Sequence, residues 1–269
     1  MTSGTGGRGG MGIRYDSADA EAFQAARQVS SNGLAGWREA VARHLTPYPG
    51  MRLLDLGAGT GMWATAFAEW YGIDVVAVEP SEAMRARSSH PRTLAGHAGE
   101  IPLPTDSVDA AWLSTVIHHI PDLQAAAVEL RRVLRTGAKV LIRSAFPGRH
   151  QRIMLFRFFP EAVRVLDAYP SVADVCAAFD AAGFEYVALE PVPQKTAESL
   201  AAAAAAMRRD AHTPLKLITD AEYDAGLARL RAAAETEAGP VIDGLDLLVL
   251  GKDKAPASSA RVPRWSGWR

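Results

Sequence analysis

Residues 53–61 read Leu53-Leu54-Asp55-Leu56-Gly57-Ala58-Gly59-Thr60-Gly61, an apolar run that closes on an acid and then three alternate glycines. Glycine reaches positive φ without strain and leaves room for a ligand where a Cβ would clash. Glu79 lies 22 residues after Gly57, at the end of the next apolar run. An acid about 20 positions past a glycine turn is placed to accept hydrogen bonds from two ribose hydroxyls. Together the two features point to an adenosine-containing ligand. A dinucleotide fingerprint needs GxGxxG, and Gly59-Thr60-Gly61-Met62-Trp63-Ala64 meets it only with alanine in the last place. Farther on, His118 and His119 stand side by side after another apolar run. An unperturbed imidazole titrates at about 6.5, which suits proton transfer near neutrality. Adjacent side chains point in different directions, so at most one of the two faces a reacting atom, with His119 preferred to His118. The competing reading makes both packing and hydrogen-bonding residues at a helix start.

These residues need a scaffold, and the alternation of the chain supplies one. Met51–Leu56 predicts a buried strand, Met62–Tyr71 a helix, and Ile73–Val78 a second strand. Ser81 is placed to cap a helix through Arg87. A weak strand is expected near Thr93–Gly96 and a fourth over Val108–Ser114, then a helix from the Asp122 cap to Leu134 that Gly137 ends. Ala138–Ser144 predicts a fifth strand. Phe146–Tyr169 is expected to be helical, as is Ser171–Ala182, with strands over Phe184–Leu189 and Leu245–Leu250. Helices are expected over 197–210 and 220–234. Continuous apolar strands alternating with helices imply a parallel sheet covered on both faces. The expectation is an α/β fold: a Rossmann-like, seven-stranded, mostly parallel sheet with a helical lid.

The organisation expected is a disordered leader over 1–12, one domain over 13–251 and a mobile tail over 252–269 carrying Trp265 and Trp268. Within the domain, a helical insert falls at about 146–170 and further helices at about 197–236. Lys and Arg number 29 against 30 Asp and Glu, for a formal charge of −1. That balance argues against a dedicated nucleic-acid binder. The single cysteine, Cys176, excludes an intrachain disulfide and a cysteine-only zinc site; no metal site is expected. No run of 18 apolar residues suggests a membrane span, and the leader is unlike a signal peptide. A cytoplasmic protein is the expectation, as monomer or homodimer.

The segment Asp55–Gly61 resembles the first motif of class I S-adenosylmethionine-dependent methyltransferases, and four further segments resemble that family in order. Val78-Glu79-Pro80-Ser81-Glu82-Ala83-Met84 is similar to its second segment and Gly96–Pro104 to its third. Asp109–Ser114 is similar to the fourth strand, and His118-His119-Ile120-Pro121-Asp122 to the loop after that strand in many small-molecule members. Leu130–Ala138 is similar to the helix and turn before strand five. The resemblance covers about Tyr15–Ser144 and is nearest to the ubiquinone/menaquinone-type and natural-product branches. It implies S-adenosylmethionine as cofactor, with S-adenosylhomocysteine as product.

By position, the resemblance puts Gly57, Ala58, Gly59 and Gly61 under the cofactor's methionine and ribose. Asp55 falls near the methionine amino group, Glu79 at the ribose hydroxyls, Pro80 and Met84 at adenine, and the Ser114 carbonyl at the methionine ammonium. Tyr15 matches a tyrosine that closes over the cofactor. His97 stands where relatives often carry an aspartate that accepts from the adenine amino group, leaving either His97 or the Ala98 backbone to read adenine. The acceptor implied is an oxygen, carbon or nitrogen of a small metabolite. Met154, Leu155, Phe156, Phe158 and Phe159 are expected near its pocket, with Arg149, Arg152 and Arg157 available for an anion. Asn/Asp-Pro-Pro-aromatic, used on exocyclic amines, is absent after Ser114. Rival readings keep the fold for a cyclisation-type reaction or for a non-catalytic binding role.

Overall fold

A computed structural model describes residues 31–252. The leader, Tyr15, Trp265 and Trp268 therefore lie outside the described residues.

Short apolar runs punctuated by glycine form strands β1 (Arg52–Leu56), β2 (Asp74–Glu79), β3 (Thr93–Ala95) and β4 (Val108–Ser114). Between and around them lie α1 (Ala35–Leu45), α2 (Met62–Tyr71), α3 (Glu82–Arg85) and α4 (Leu123–Val133). Ser81 and Asp122 cap α3 and α4, each accepting a backbone N–H of the first turn. The second half carries β5 (Leu134–Ser144), α5 (Met154–Phe158), α6 (Val163–Leu166), α7 (Val172–Ala181) and β6 (Glu185–Ala197). It closes with α8 (Leu200–Ala206), α9 (Thr213–Lys216), α10 (Asp220–Ala234) and β7 (Val241–Gly251).

The sheet runs β3-β2-β1-β4-β5-β7-β6. Its first five strands pair in parallel, while β7 runs antiparallel to both β5 and β6. Side chains alternate faces along each strand. Leu54, Val76, Ala111 and Leu113 enter one apolar cluster beneath α4 and α7, and Leu53, Val75, Ala110 and Trp112 enter the other beneath α1 and α2. A third cluster joins α5, α6, α8 and α10 into a cap over the β6–β7 end.

Several boundaries differ from expectation. The helix after Asp122 ends at Val133 and leads directly into β5, so Gly137 (φ 77°) lies in a bulged stretch of strand rather than at a helix end. The Ser81 helix stops at Arg85. The stretch 146–169 breaks into short helices because Pro160 opens a new turn and has no N–H with which to continue α5. The helix expected over 197–210 shortens to Leu200–Ala206. β6 runs on through Pro191 and Pro193, which an edge strand tolerates.

Candidate active site

β1 delivers Asp55 to the turn Gly57–Gly61, whose end caps α2. The turn is tied to β2: the N–H groups of Gly57 and Ala58 both donate to the Val78 carbonyl, at 2.8 and 3.1 Å. Gly57 has φ 74°, and a Cβ there would overlap the Val116 side chain. Gly61 has φ 79°, and a Cβ would lie 2.5 Å from Ser88 Oγ. Both positions thus require glycine by conformation and by space.

Two carboxylates meet this turn. Glu79 is buried at the end of β2, where Oε2 accepts the Gly59 N–H at 2.9 Å and Oε1 accepts the Ser81 N–H at 2.8 Å. Burial raises its pKa and the two amides oppose the rise. Asp55 is 1% exposed. Its carboxyl bonds the Ala64 backbone at the start of α2, and burial, reinforced by the negative Glu79, pushes its pKa up to about 8. Its Oδ2 is buried without a hydrogen-bond partner.

The other described residues named from sequence have varied settings. Ala58 is half-buried at the turn, packed on the cluster beneath α2. Met84 is buried, whereas Pro80 is exposed and its carbonyl accepts from Arg85. The His97 ring is exposed; its Nδ1 accepts the Gly99 N–H at 3.2 Å, and Ala98 packs on the core. Ser114 ends β4, and its carbonyl accepts the Thr115 hydroxyl at 2.7 Å.

Beside the turn, at the carboxyl ends of β4, β5 and β6, opens a cavity of about 590 Å³. Met62, Trp63 and Thr115 border it on the cofactor-turn side, and Met154, Phe156, Leu166 and Met207 line it from the cap. His118 and His119 both face it from a single 3₁₀ turn, Ile117–His119. Their rings lie 4.0 Å apart, tilted 47°. The His118 ring also stacks on Tyr169 at 4.0 Å and 2°.

A polar floor completes the cavity. Arg143 from β5 is 8% exposed; it donates to Gln194 Oε1 at 2.9 Å and to Ser114 Oγ at 3.4 Å. Trp37 Nε1 donates to the same Gln194 oxygen at 3.0 Å. Asp243 accepts from the Met154 N–H at 2.6 Å and from the Thr196 hydroxyl at 2.9 Å, and burial raises its pKa. Sequence reasoning missed Arg143, Gln194, Asp243 and Tyr169. The one available signal was Arg143 itself, a charge inside the apolar run Val140–Ser144. Of the arginines expected to meet an anion, Arg149 pairs with Asp246 and Arg157 pairs with Glu237, while the aliphatic stem of Arg152 lies against Gly244.

Residues 54–142 match a family described as a methyltransferase domain. An uncharacterised methyltransferase of Mycobacterium tuberculosis (strain ATCC 25618 / H37Rv) is 44% identical over 100 residues, covering 36% of this chain and 40% of that protein. A demethylmenaquinone methyltransferase of Lysinibacillus sphaericus is 30% identical over 137 residues, 46% of this chain and 57% of its own. The matches thus span between two fifths and three fifths of these relatives. Among solved structures, the cyclase SpnF superposes with a TM-score of 0.54 at 20% identity, over 86% of this chain and 84% of that one. A phosphoethanolamine N-methyltransferase of Haemonchus contortus, bound to phosphomonomethylethanolamine and S-adenosylhomocysteine, gives 0.55 at 19%, over 89% and 58%. These likenesses show the fold. With this match over residues 54–142, its strand order and its glycine turn, the chain carries a methyltransferase domain and is similar to the class I S-adenosylmethionine-dependent methyltransferases.

Proposed function

We propose that this chain transfers the methyl group of S-adenosylmethionine to an oxygen, carbon or nitrogen of a small metabolite held in the 590 Å³ cavity. The observation that carries the reading is the orphaned Asp55 Oδ2, buried beside a turn whose glycines leave no room for a Cβ. A buried acceptor without a partner is costly, and a ligand ammonium or its bridging water would satisfy it. Glu79 keeps a second lone pair on each oxygen for ribose hydroxyls. Tyr15, Pro80, Met84, His97, Ala98 and the Ser114 carbonyl are proposed to complete the cofactor site.

The cofactor supplies a methyl group already activated by its sulfonium. The chain's own work is then alignment and exclusion of water. The cap residues Phe156, Leu166 and Met207 keep the cavity largely apolar. His119 or His118 takes the acceptor's proton, and the Tyr169 ring stacked on His118 holds that imidazole in place. Incubation with methyl-labelled S-adenosylmethionine and an extract of the producing cells tests the proposal. Label in an organic-extractable small product is expected. Label confined to RNA or protein would overturn the acceptor class, and cofactor binding with no label transferred would overturn methyl transfer.

A further inference from the structure

The chain between β3 and β4 lies beside the acid proposed to hold the ribose. Glu79 at the end of β2 is in register with Ala95 at the end of β3, so Gly96, His97 and Ala98 emerge one strand away from that carboxylate. Neighbouring strands are about 4.8 Å apart. A base joined to a ribose at Glu79 therefore meets this loop. Past Ala95 the backbone has left the sheet, and its buried polar groups need partners from elsewhere.

Helix α4 supplies them. The Arg132 guanidinium donates to the Ile101 carbonyl at 2.8 Å and to the Leu103 carbonyl at 2.7 Å. The Glu129 carboxylate accepts the Ile101 N–H at 2.9 Å, and each of its oxygens accepts from Arg132 at 2.8 Å. The two side chains stand one helical turn apart and orient each other. The Arg132 guanidinium bonded to Glu129 holds that carboxyl below its usual range, so both groups stay charged and their bonds to the loop are charge-assisted.

Anchoring the loop does not need this pair. Ile101 and Leu103 already bury their side chains in the cluster beneath α4 and α7. Apolar burial is non-directional; it holds the loop down and leaves the rotation of its peptides open. A planar fork across two carbonyls, with an acid on the N–H of the same segment, sets that rotation. The near end is closed by space: a Cβ on Gly96 would lie 2.5 Å from Pro102 Cδ. The His97 Nδ1 accepts the Gly99 N–H, which ties the ring into the same turn.

We infer that Arg132 and Glu129 are positioning residues for cofactor recognition: acting from α4 through the loop 96–103, they fix the groups that tell adenine from another purine. They act through the loop and not by contact with the base. This rests on the reading of Glu79 as the ribose acid and of His97 or Ala98 as the adenine contact.

Hypoxanthine presents an N–H and a carbonyl where adenine presents a ring nitrogen and an amino group, so the two bases reverse donor and acceptor along one edge. Calorimetric titration of the full-length protein with S-adenosylhomocysteine and S-inosylhomocysteine tests the inference. Wild type is expected to bind the adenosyl form about tenfold or more tighter, the scale of one or two hydrogen bonds. Arg132→Met is expected to bring that ratio within about threefold, chiefly by weakening the adenosyl form. Glu129→Gln keeps an oxygen for the Ile101 N–H and removes the charge that orients the guanidinium; it is expected to lower the ratio too, and it decides the matter should Arg132→Met fail to fold. An unchanged ratio in a folded variant, or an equal loss of both ligands, is what a purely structural tie gives and would overturn the inference. Equal binding of the two forms to wild type would also overturn it, while leaving cofactor binding itself standing. Failure of wild type to bind S-adenosylhomocysteine sinks the cofactor reading, and this inference with it.

Discussion

Asp55 shows how burial turns one side chain into a pH-dependent element of the fold. Its ordinary value of 3.8 rises to about 8 because desolvation penalises the charged form. Between those two values the folded chain keeps a proton that the unfolded chain has released, so stability falls as pH rises across that window. Asp55→Asn removes the titration and retains an oxygen for Ala64. It is expected to be more stable than wild type by a few kcal/mol at pH 7 and to match wild type near pH 4, as read by urea unfolding. A cationic ligand reverses the preference, so cofactor binding near pH 7 is expected to release a proton from wild type and none from Asp55→Asn. Titrations in buffers of different ionisation enthalpy measure that difference. Glu79 is tested separately. Glu79→Ala loses the acceptor of the Gly59 and Ser81 amides as well as the proposed ribose contact, and is expected to weaken S-adenosylhomocysteine binding by about 1–3 kcal/mol. Unchanged affinity would remove Glu79 from the cofactor site. The positions of both acids were legible in sequence, because an acid at a strand end beside alternate glycines has few other uses. The protonation of Asp55 was not, since it depends on how completely α2 and the turn cover it.

At the scale of elements, legibility follows the kind of contact that defines each one. β1, β2 and β4 are buried on both faces, so they read as unbroken apolar runs bounded by glycine or acid, and their predicted limits fall within a residue or so of the observed ones. β6 lies at the sheet edge with alternating exposed positions and two prolines, which hides its second half from any apolar pattern. The cap helices are four to seven residues long apart from α10, too short for a 3.6-residue period to register. Arg143 escaped notice for the same reason as β6: its neighbours are supplied by strands distant in sequence. The two halves are also expected to fail independently. Gly226 sits inside α10, where alanine ordinarily favours a helix by roughly 0.5–1 kcal/mol. Here its Cβ would overlap the ring of Phe159, which is 0% exposed and has nowhere to swing. Overpacking at about 1–3 kcal/mol outweighs the helical gain. Gly226→Ala is expected to destabilise the cap and weaken ligand binding in the cavity while leaving S-adenosylhomocysteine affinity intact. Gly57→Ala, strained by φ 74° and by Val116, is expected to abolish that affinity. Calorimetry with each ligand on both variants checks the contrast.

Across the whole molecule, the proposed function has the three apolar clusters divide the labour between cofactor and acceptor. Two sandwich the sheet and fix the strand ends that carry Asp55, Glu79 and Ser114. The third is a satellite core under the cap, joined to the sheet through residues such as Leu245, which packs against both the α1–α2 cluster and the cap cluster. The cavity occupies the seam between them, so the cap's resting stability depends on contacts that leave this space open. Segments with smaller cores open at lower free energy than the central sheet. Backbone amides over 200–218 are therefore expected to exchange hydrogen for deuterium faster than those of β1 and β4. A ligand that fills the seam touches both cap and sheet, so it is expected to slow exchange over 200–218. S-adenosylhomocysteine alone is expected to act on 57–61 and 79–84. Mass spectrometry of peptides from the unliganded, cofactor-bound and cavity-bound protein resolves the three patterns. Slowing of the cap by cofactor alone, to the same degree as by a cavity ligand, would mean that the two sites share one cooperative unit. Changing the cap would then no longer change the acceptor without also disturbing the cofactor, and the division between a fixed cofactor half and an adaptable acceptor half would not hold.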